Sequence, residues 1–170
     1  MATSRDGTTR KNLHKRGASA YLKEFENAGF LVDTSSLDKT LRCSPSVCIF
    51  IQDNIGIQIK SGRGDDTAVV VVDTEPEAVR LFHDDSKVKL FYENSKKYDC
   101  YTNNWGKSKG LNKYGDVCVV LNRNTAKLFR EGRLGELPDL TRNKLYVACS
   151  RARGDLYILY EDHLRSLKRT

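Results

Sequence analysis

Two groups of residues in this 170-residue chain have the type and spacing to meet a polyanion. The first is a set of arginines: Arg42 in the segment RCSPS, and Arg151 and Arg153 in ACSRARGD. A guanidinium stays charged at any working pH and grips phosphoryl oxygens with a planar fork of N–H donors, so arginines at element junctions suit a phosphate-bearing ligand. The ordinary alternative is a surface ion pair, and Arg153 has Asp155 two residues away to pair with. The second group lies in NNWGKSKG, residues 103 to 110, where Asn104, Lys107, Ser108, Lys109 and the backbone of Gly110 offer hydrogen-bond donors. Trp105 in the same run could stack on an unpaired base or pack as an ordinary core aromatic.

Charge distribution points the same way. The net charge is +7, from 29 basic and 22 acidic residues, and the excess is uneven. Residues 1 to 23 hold Arg5, Arg10, Lys11, Lys15, Arg16 and Lys23 against Asp6 alone, and Lys96, Lys97, Lys107, Lys109 and Lys113 surround only Asp99. Such clusters suit nucleic acid or another polyanion, and equally a solvated basic face.

Other chemistries find no support. Gly106-Lys107-Ser108 has the end of a Walker A loop, but the required first glycine falls on Tyr101 and no apolar strand directly precedes it. No P-loop and no DExx run after a hydrophobic strand is present, so the chain alone should not hydrolyse ATP. A nuclease is disfavoured because no paired carboxylates with a following lysine sit at a strand end. Five cysteines without CxxC spacing give neither a disulfide framework nor a zinc knuckle, and no metal site is expected. The chain has no apolar run of membrane-spanning length and no secretory signal, so a soluble, cytoplasmic protein with no membrane partner is the default expectation.

The elements that must position these residues alternate. Ala18, Tyr21, Leu22 and Phe25 recur at helical spacing from about Lys15 to Ala28, before Gly29. A short strand is expected around Leu37 to Arg42. Ser44 before Pro45 pairs an N-cap residue with the imino acid favoured at the first helical position, which predicts a helix from about Pro45 to Asn54. SGRGDD, ending at Asp66, reads as a loop. Ala68 to Val72 is β-branched and predicts a buried strand. A helix over Glu75 to Phe82, strands over Val88 to Tyr92 and Val117 to Leu121, a helix over Arg142 to Arg151 and a strand over Leu156 to Tyr160 complete the reading. Strands alternating with helices predict an α/β fold, a mostly parallel sheet covered on both faces. In such sheets ligands gather beyond the carboxyl ends of the strands, and that is where these motifs are expected to meet.

Three segments, in order, carry a family resemblance: TLRCSPSVCIFI at residues 40 to 51, NNWGKSKG with DVCVVL at residues 103 to 121, and NKLYVACSRARGDLYIL at residues 143 to 159. From about residue 34 to residue 160 the chain resembles the second RecA-like domain of the UvrD-like superfamily 1 DNA helicases, with counterparts of motifs IV, V and VI. The family pattern has a histidine two residues before SKG and an acidic residue after Gly-Leu, where this chain has Gly106 and Asn112.

The resemblance implies a RecA-like domain of the P-loop NTPase type without its P-loop. Arg42 and Arg151 would be the catalytic arginine fingers; with Gly110 and Arg153 they would form the contribution to ATP binding. Asn104, Trp105, Lys107, Ser108 and Lys109 would form part of the nucleic-acid track. ATP and Mg2+ would be held mainly by an N-terminal RecA-like domain of the same protein, with single-stranded or partly duplex DNA as the polymer partner. Residues 1–33 would then be a basic connecting segment and helix, and residues 34–170 the second motor domain. Only about 60 residues separate Arg42 from Lys109, too few for the accessory domain that larger family members insert there, so residues 60 to 100 should add one or two strands and a helix to the same sheet. A module that binds nucleic acid or a protein without catalysis is the competing reading, supported by the missing P-loop.

Overall fold

The computed structural model describes residues 27, 28 and 39–169. The helix expected over Lys15 to Ala28, and with it the connecting role of residues 1–33, lies almost wholly outside them. The chain divides into two units after Leu37, and the sheets with their connecting helices belong to the second, Asp38–Thr170.

Ser44 caps helix α1, Pro45–Phe50, its Oγ accepting the Val47 N–H at 3.3 Å, with Pro45 opening the helix. The helix widens into a π-type turn over Ile51–Ile55, and Gly56 ends it with a left-handed φ of 73°. Strand β1, Lys39–Thr40, precedes it, and β2, Lys60–Ser61, pairs with β1 in a small parallel sheet of their own.

The remaining strands form one all-parallel sheet: β3 Val69–Val71, β4 Val88–Phe91, β5 Thr102–Asn104, β6 Val117–Leu121 and β7 Leu156–Tyr160, in the order β3-β7-β6-β4-β5. Helices α2 Glu75–Phe82, α3 Arg123–Arg130 and α4 Asp139–Cys149 connect them. This is the α/β class expected of a RecA-like domain. Alternation along each strand sends side chains to two cores. Val88, Leu90, Val117, Val119, Leu121, Leu156 and Ile158 pack on one face with residues of α1 and α4. Phe91, Cys118, Val120 and Leu159 pack on the other with α2 and the 3-10 turns of Glu161–Leu167.

Strand β3 corrects one expectation. Its β-branched run suggested burial on both faces, but β3 lies at the sheet edge with only β7 beside it, and Val71 is 40% exposed. Of the span from residue 60 to 100, β3, β4 and α2 join the main sheet as expected, and β2 does not. Cys43, Cys48, Cys118 and Cys149 are buried free thiols and Cys100 is half-buried; burial pushes Cys43 up to about 11 and Cys118 to about 12, so both remain protonated at neutral pH. Among the described residues no helix is long and apolar enough to cross a membrane.

Candidate functional site

The arginines gather at the amino ends of the strands, not at the carboxyl ends where they were expected. The reason is connectivity. Helix α4 runs back against the strand direction and feeds β7, so residues just past its C-terminus must lie where β7 begins. The chain likewise leaves β5 at its carboxyl end, packs Gly106–Ser108 against α4, and reaches the amino end of β6 through Leu111 to Asp116. There Arg153 N–H and Gly154 N–H both donate to the Gly115 carbonyl, at 3.1 and 3.0 Å.

Arg151 is only 6% exposed. Its Nε donates to the Val147 carbonyl at 3.1 Å, its Nη1 to the Leu111 carbonyl at 3.4 Å and its Nη2 to Ser150 Oγ at 3.3 Å. The Val147 contact has local logic: the last carbonyls of a helix lack intrahelical donors and carry the negative end of its dipole, so a cation there is favoured. A guanidinium has five N–H donors, and these contacts occupy three. Arg42, half-buried, donates through Nη2 to Asn112 Oδ1 at 2.9 Å. The two arginines therefore converge on adjacent residues of one segment, Leu111 and Asn112. Gly110, immediately before them, turns the chain with a φ of 83° that side-chain-bearing residues rarely adopt.

No carboxylate among the described residues pairs with Arg42, Arg151 or Arg153; in particular the Asp155 carboxylate accepts from Ala68 N–H at 2.9 Å, not from Arg153. Burial, and then the nearby Arg42 charge, push Arg151 below the usual arginine range. A cation withdrawn from water without a counter-ion is costly, and an anion placed beside it recovers much of that cost. Arg63, in the segment expected to be a loop, ties the cluster together. Its Nη1 donates to the backbone carbonyls of Arg42 at 3.0 Å and Arg153 at 2.6 Å, while Asp65 holds its other donors. An open hollow of about 420 Å³, lined by Lys39, Thr40, Leu41, Arg42, Asn112 and Arg153, faces outward beside these residues.

Gly154 is what lets this loop close. A Cβ there would overlap the Asp116 carboxylate and lie 3.3 Å from Asp116 N and the Gly115 carbonyl carbon. The carboxylate is committed, since Asp116 Oδ1 accepts the Asp155 N–H at 2.9 Å. Gly154→Ala is therefore expected to destabilise the domain by about 2 kcal/mol, as overpacking does; an unchanged urea midpoint would contradict this packing.

The second group occupies the opposite edge. Asn94, Ser95, Lys96, Lys97, Thr102, Asn103, Asn104 and Lys107 line a groove of about 510 Å³ beyond the carboxyl ends of β4 and β5. Asn104 Oδ1 accepts the Ser95 N–H at 2.9 Å, which joins the two loops that form its walls. Lys96, Lys97, Lys107 and Lys109 are exposed. Two residues expected here are placed elsewhere. Trp105 is fully buried, its Nε1 donating to the Leu90 carbonyl at 2.9 Å and its ring meeting Tyr92 edge-on, so it offers no face to a base. Ser108 is buried as well, with Oγ donating to the Trp105 carbonyl at 2.6 Å. The ring that suggested stacking is the anchor that fixes the groove-bearing segment to the core.

No protein-family model matches the chain, and no curated protein matches it. Solved structures do, among them a crystal structure of methylated nsp10, a helicase of PRRSV. That match has 19% identity and a TM-score of 0.40, and covers 71% of this chain and 23% of the other. The chain thus spans under a quarter of that helicase's length.

Proposed function

We propose that this chain is the second RecA-like half of a UvrD-like superfamily 1 helicase motor. The observation that carries the reading is the convergence of Arg42 and Arg151 on Leu111 and Asn112, without a carboxylate partner among the described residues. ATP and Mg2+ would be held by an N-terminal RecA-like domain bearing the P-loop that these 170 residues lack. When the two lobes close, the free donors of Arg42 and Arg151 meet the terminal phosphate and stabilise the charge that develops as it leaves, with Arg153 and the Gly110 backbone at the rim. The groove at the other edge would carry a single strand of DNA through Asn104, Lys107, Lys96 and Lys97, with the exposed Lys109 two residues beyond Lys107. These are contacts to the backbone rather than to base edges, so affinity should fall with salt and vary little with sequence.

The test is ATP hydrolysis by the full-length protein containing this chain, measured with and without single-stranded DNA. Strand-stimulated hydrolysis that is lost in Arg42→Ala supports the motor. Binding of DNA with no strand-stimulated hydrolysis would instead favour a non-catalytic nucleic-acid module, the reading that the missing P-loop keeps open.

A further inference from the structure

Helix α3 carries Arg123, Lys127 and Arg130 at spacings of four and three, which places all three on one face. All are exposed, and the face borders a hollow of about 340 Å³ whose lining also includes Glu131 and Asp162. Those two carboxylates are already engaged, Glu131 with Arg133 at 2.8 Å and Asp162 with Arg165 at 2.6 Å. Among the described residues, none of the three cations on α3 has a carboxylate partner.

Helix stability explains only part of this pattern. Lys127 and Arg130 fall in the last turn, where the helix dipole favours cations. Arg130 also lies over the Tyr160 ring, 4.1 Å from its centroid. Arg123 is the exception. It opens the helix at the dipole's positive end, where acidic residues are preferred, and the first turn contains none. Like charges at these spacings repel as well. A polyanion laid against the face offsets both costs. The face spans about 10 Å, the rise of seven residues, which matches about three phosphates of one nucleic-acid strand.

Topology supplies the partner. Helix α3 leaves the carboxyl end of β6, Asp162 follows the carboxyl end of β7, and the lysine groove lies at the carboxyl ends of β4 and β5. With β7, β6, β4 and β5 side by side at about 4.8 Å, the two basic surfaces lie on one edge of the sheet, roughly 10–15 Å apart. We propose that the Arg123–Lys127–Arg130 face is a second backbone contact for nucleic acid, continuing the path of a strand bound in the groove. That continuity rests on the proposed role of the groove; the charge argument for α3 does not.

Fluorescence anisotropy of the 170-residue protein with long and short homothymidine oligonucleotides, over a range of salt, tests the proposal. For Arg123→Gln with Lys127→Gln, affinity for the long oligonucleotide should fall about tenfold and its salt slope by about two, with the short one bound as before. Arg130 is left in place because of its contact with Tyr160. The charge-preserving pair Arg123→Lys with Lys127→Arg should restore binding, which separates lost contacts from lost folding. Unchanged long-oligonucleotide binding in the glutamine variant overturns the proposal. So does a loss seen only with a polyglutamate peptide, which would assign the face to an acidic protein. If Lys97→Gln with Lys107→Gln leaves binding intact while the α3 variant weakens it, the groove reading fails and the α3 contact stands.

Discussion

On the proposed motor function, Arg151→Lys in the full-length protein is expected to lower ATP turnover about a thousandfold or more, the scale on which arginine fingers act in phosphoryl-transfer enzymes. Lysine keeps the charge but loses the planar fork, and one ammonium cannot hold Val147 and Leu111 in the same directions while reaching a phosphate. Arg151→Ala confounds two effects, because the side chain is buried: it also strips a donor from the Leu111 carbonyl and from Ser150, at a stability cost of about 1–3 kcal/mol. The lysine variant is therefore the sharper instrument. Steady-state phosphate release at saturating ATP, beside a denaturant melt of each variant, reads both. A lysine variant that is stably folded and retains half the parent's turnover would remove Arg151 from the phosphate site.

Trp105→Ala should be the most damaging single change to the fold, at about 3–5 kcal/mol, since it empties a fully buried aromatic site and removes the indole hydrogen bond to the Leu90 carbonyl. Trp105 is the only tryptophan of the chain, which makes the residue its own reporter. Intrinsic emission of the parent protein should be blue-shifted, resistant to acrylamide and unaltered by saturating single-stranded DNA. Emission that is red-shifted, or quenched on adding DNA, would return Trp105 to the binding surface.

Both residues mark where sequence was informative and where it was not. Val117–Leu121 and Leu156–Tyr160 were legible because strands buried on both faces must be apolar without interruption. Ser44-Pro45 was legible because a cap followed by proline has few other uses. Helix α3 escaped notice because only Thr125 and Ala126 within it are buried; the remaining signal was Asn122, which caps it by accepting the Thr125 N–H at 3.0 Å. Strand β5, Thr102–Asn104, was hidden by its polarity, tolerable at the sheet edge where it pairs with β4 alone. Arg42 and Arg151 were singled out by their type and spacing alone, and their convergence at Leu111 and Asn112 is what the structure adds. Their edge of the sheet was misjudged although the order of elements contained it: both Gly110 and Arg151 come before the strand they serve, not after it. The orientation of Trp105 had no such signal, because an indole amid lysines is compatible with either environment until the strand beneath it is known.

Helix α4 links the two basic clusters, with Gly106 against Lys144 at its midpoint and Arg151 just beyond its C-terminus. Its eleven residues form a rod of about 16 Å, packed on the sheet through Leu145, Ala148 and Cys149. Mechanically it is a strut, not a spring. If a phosphate draws Arg151, the groove-bearing segment seated on Lys144 is expected to move with it, because close-packed interiors transmit strain. In the motor proposed above, the length of a step along a strand would then be set by how far the two lobes swing together.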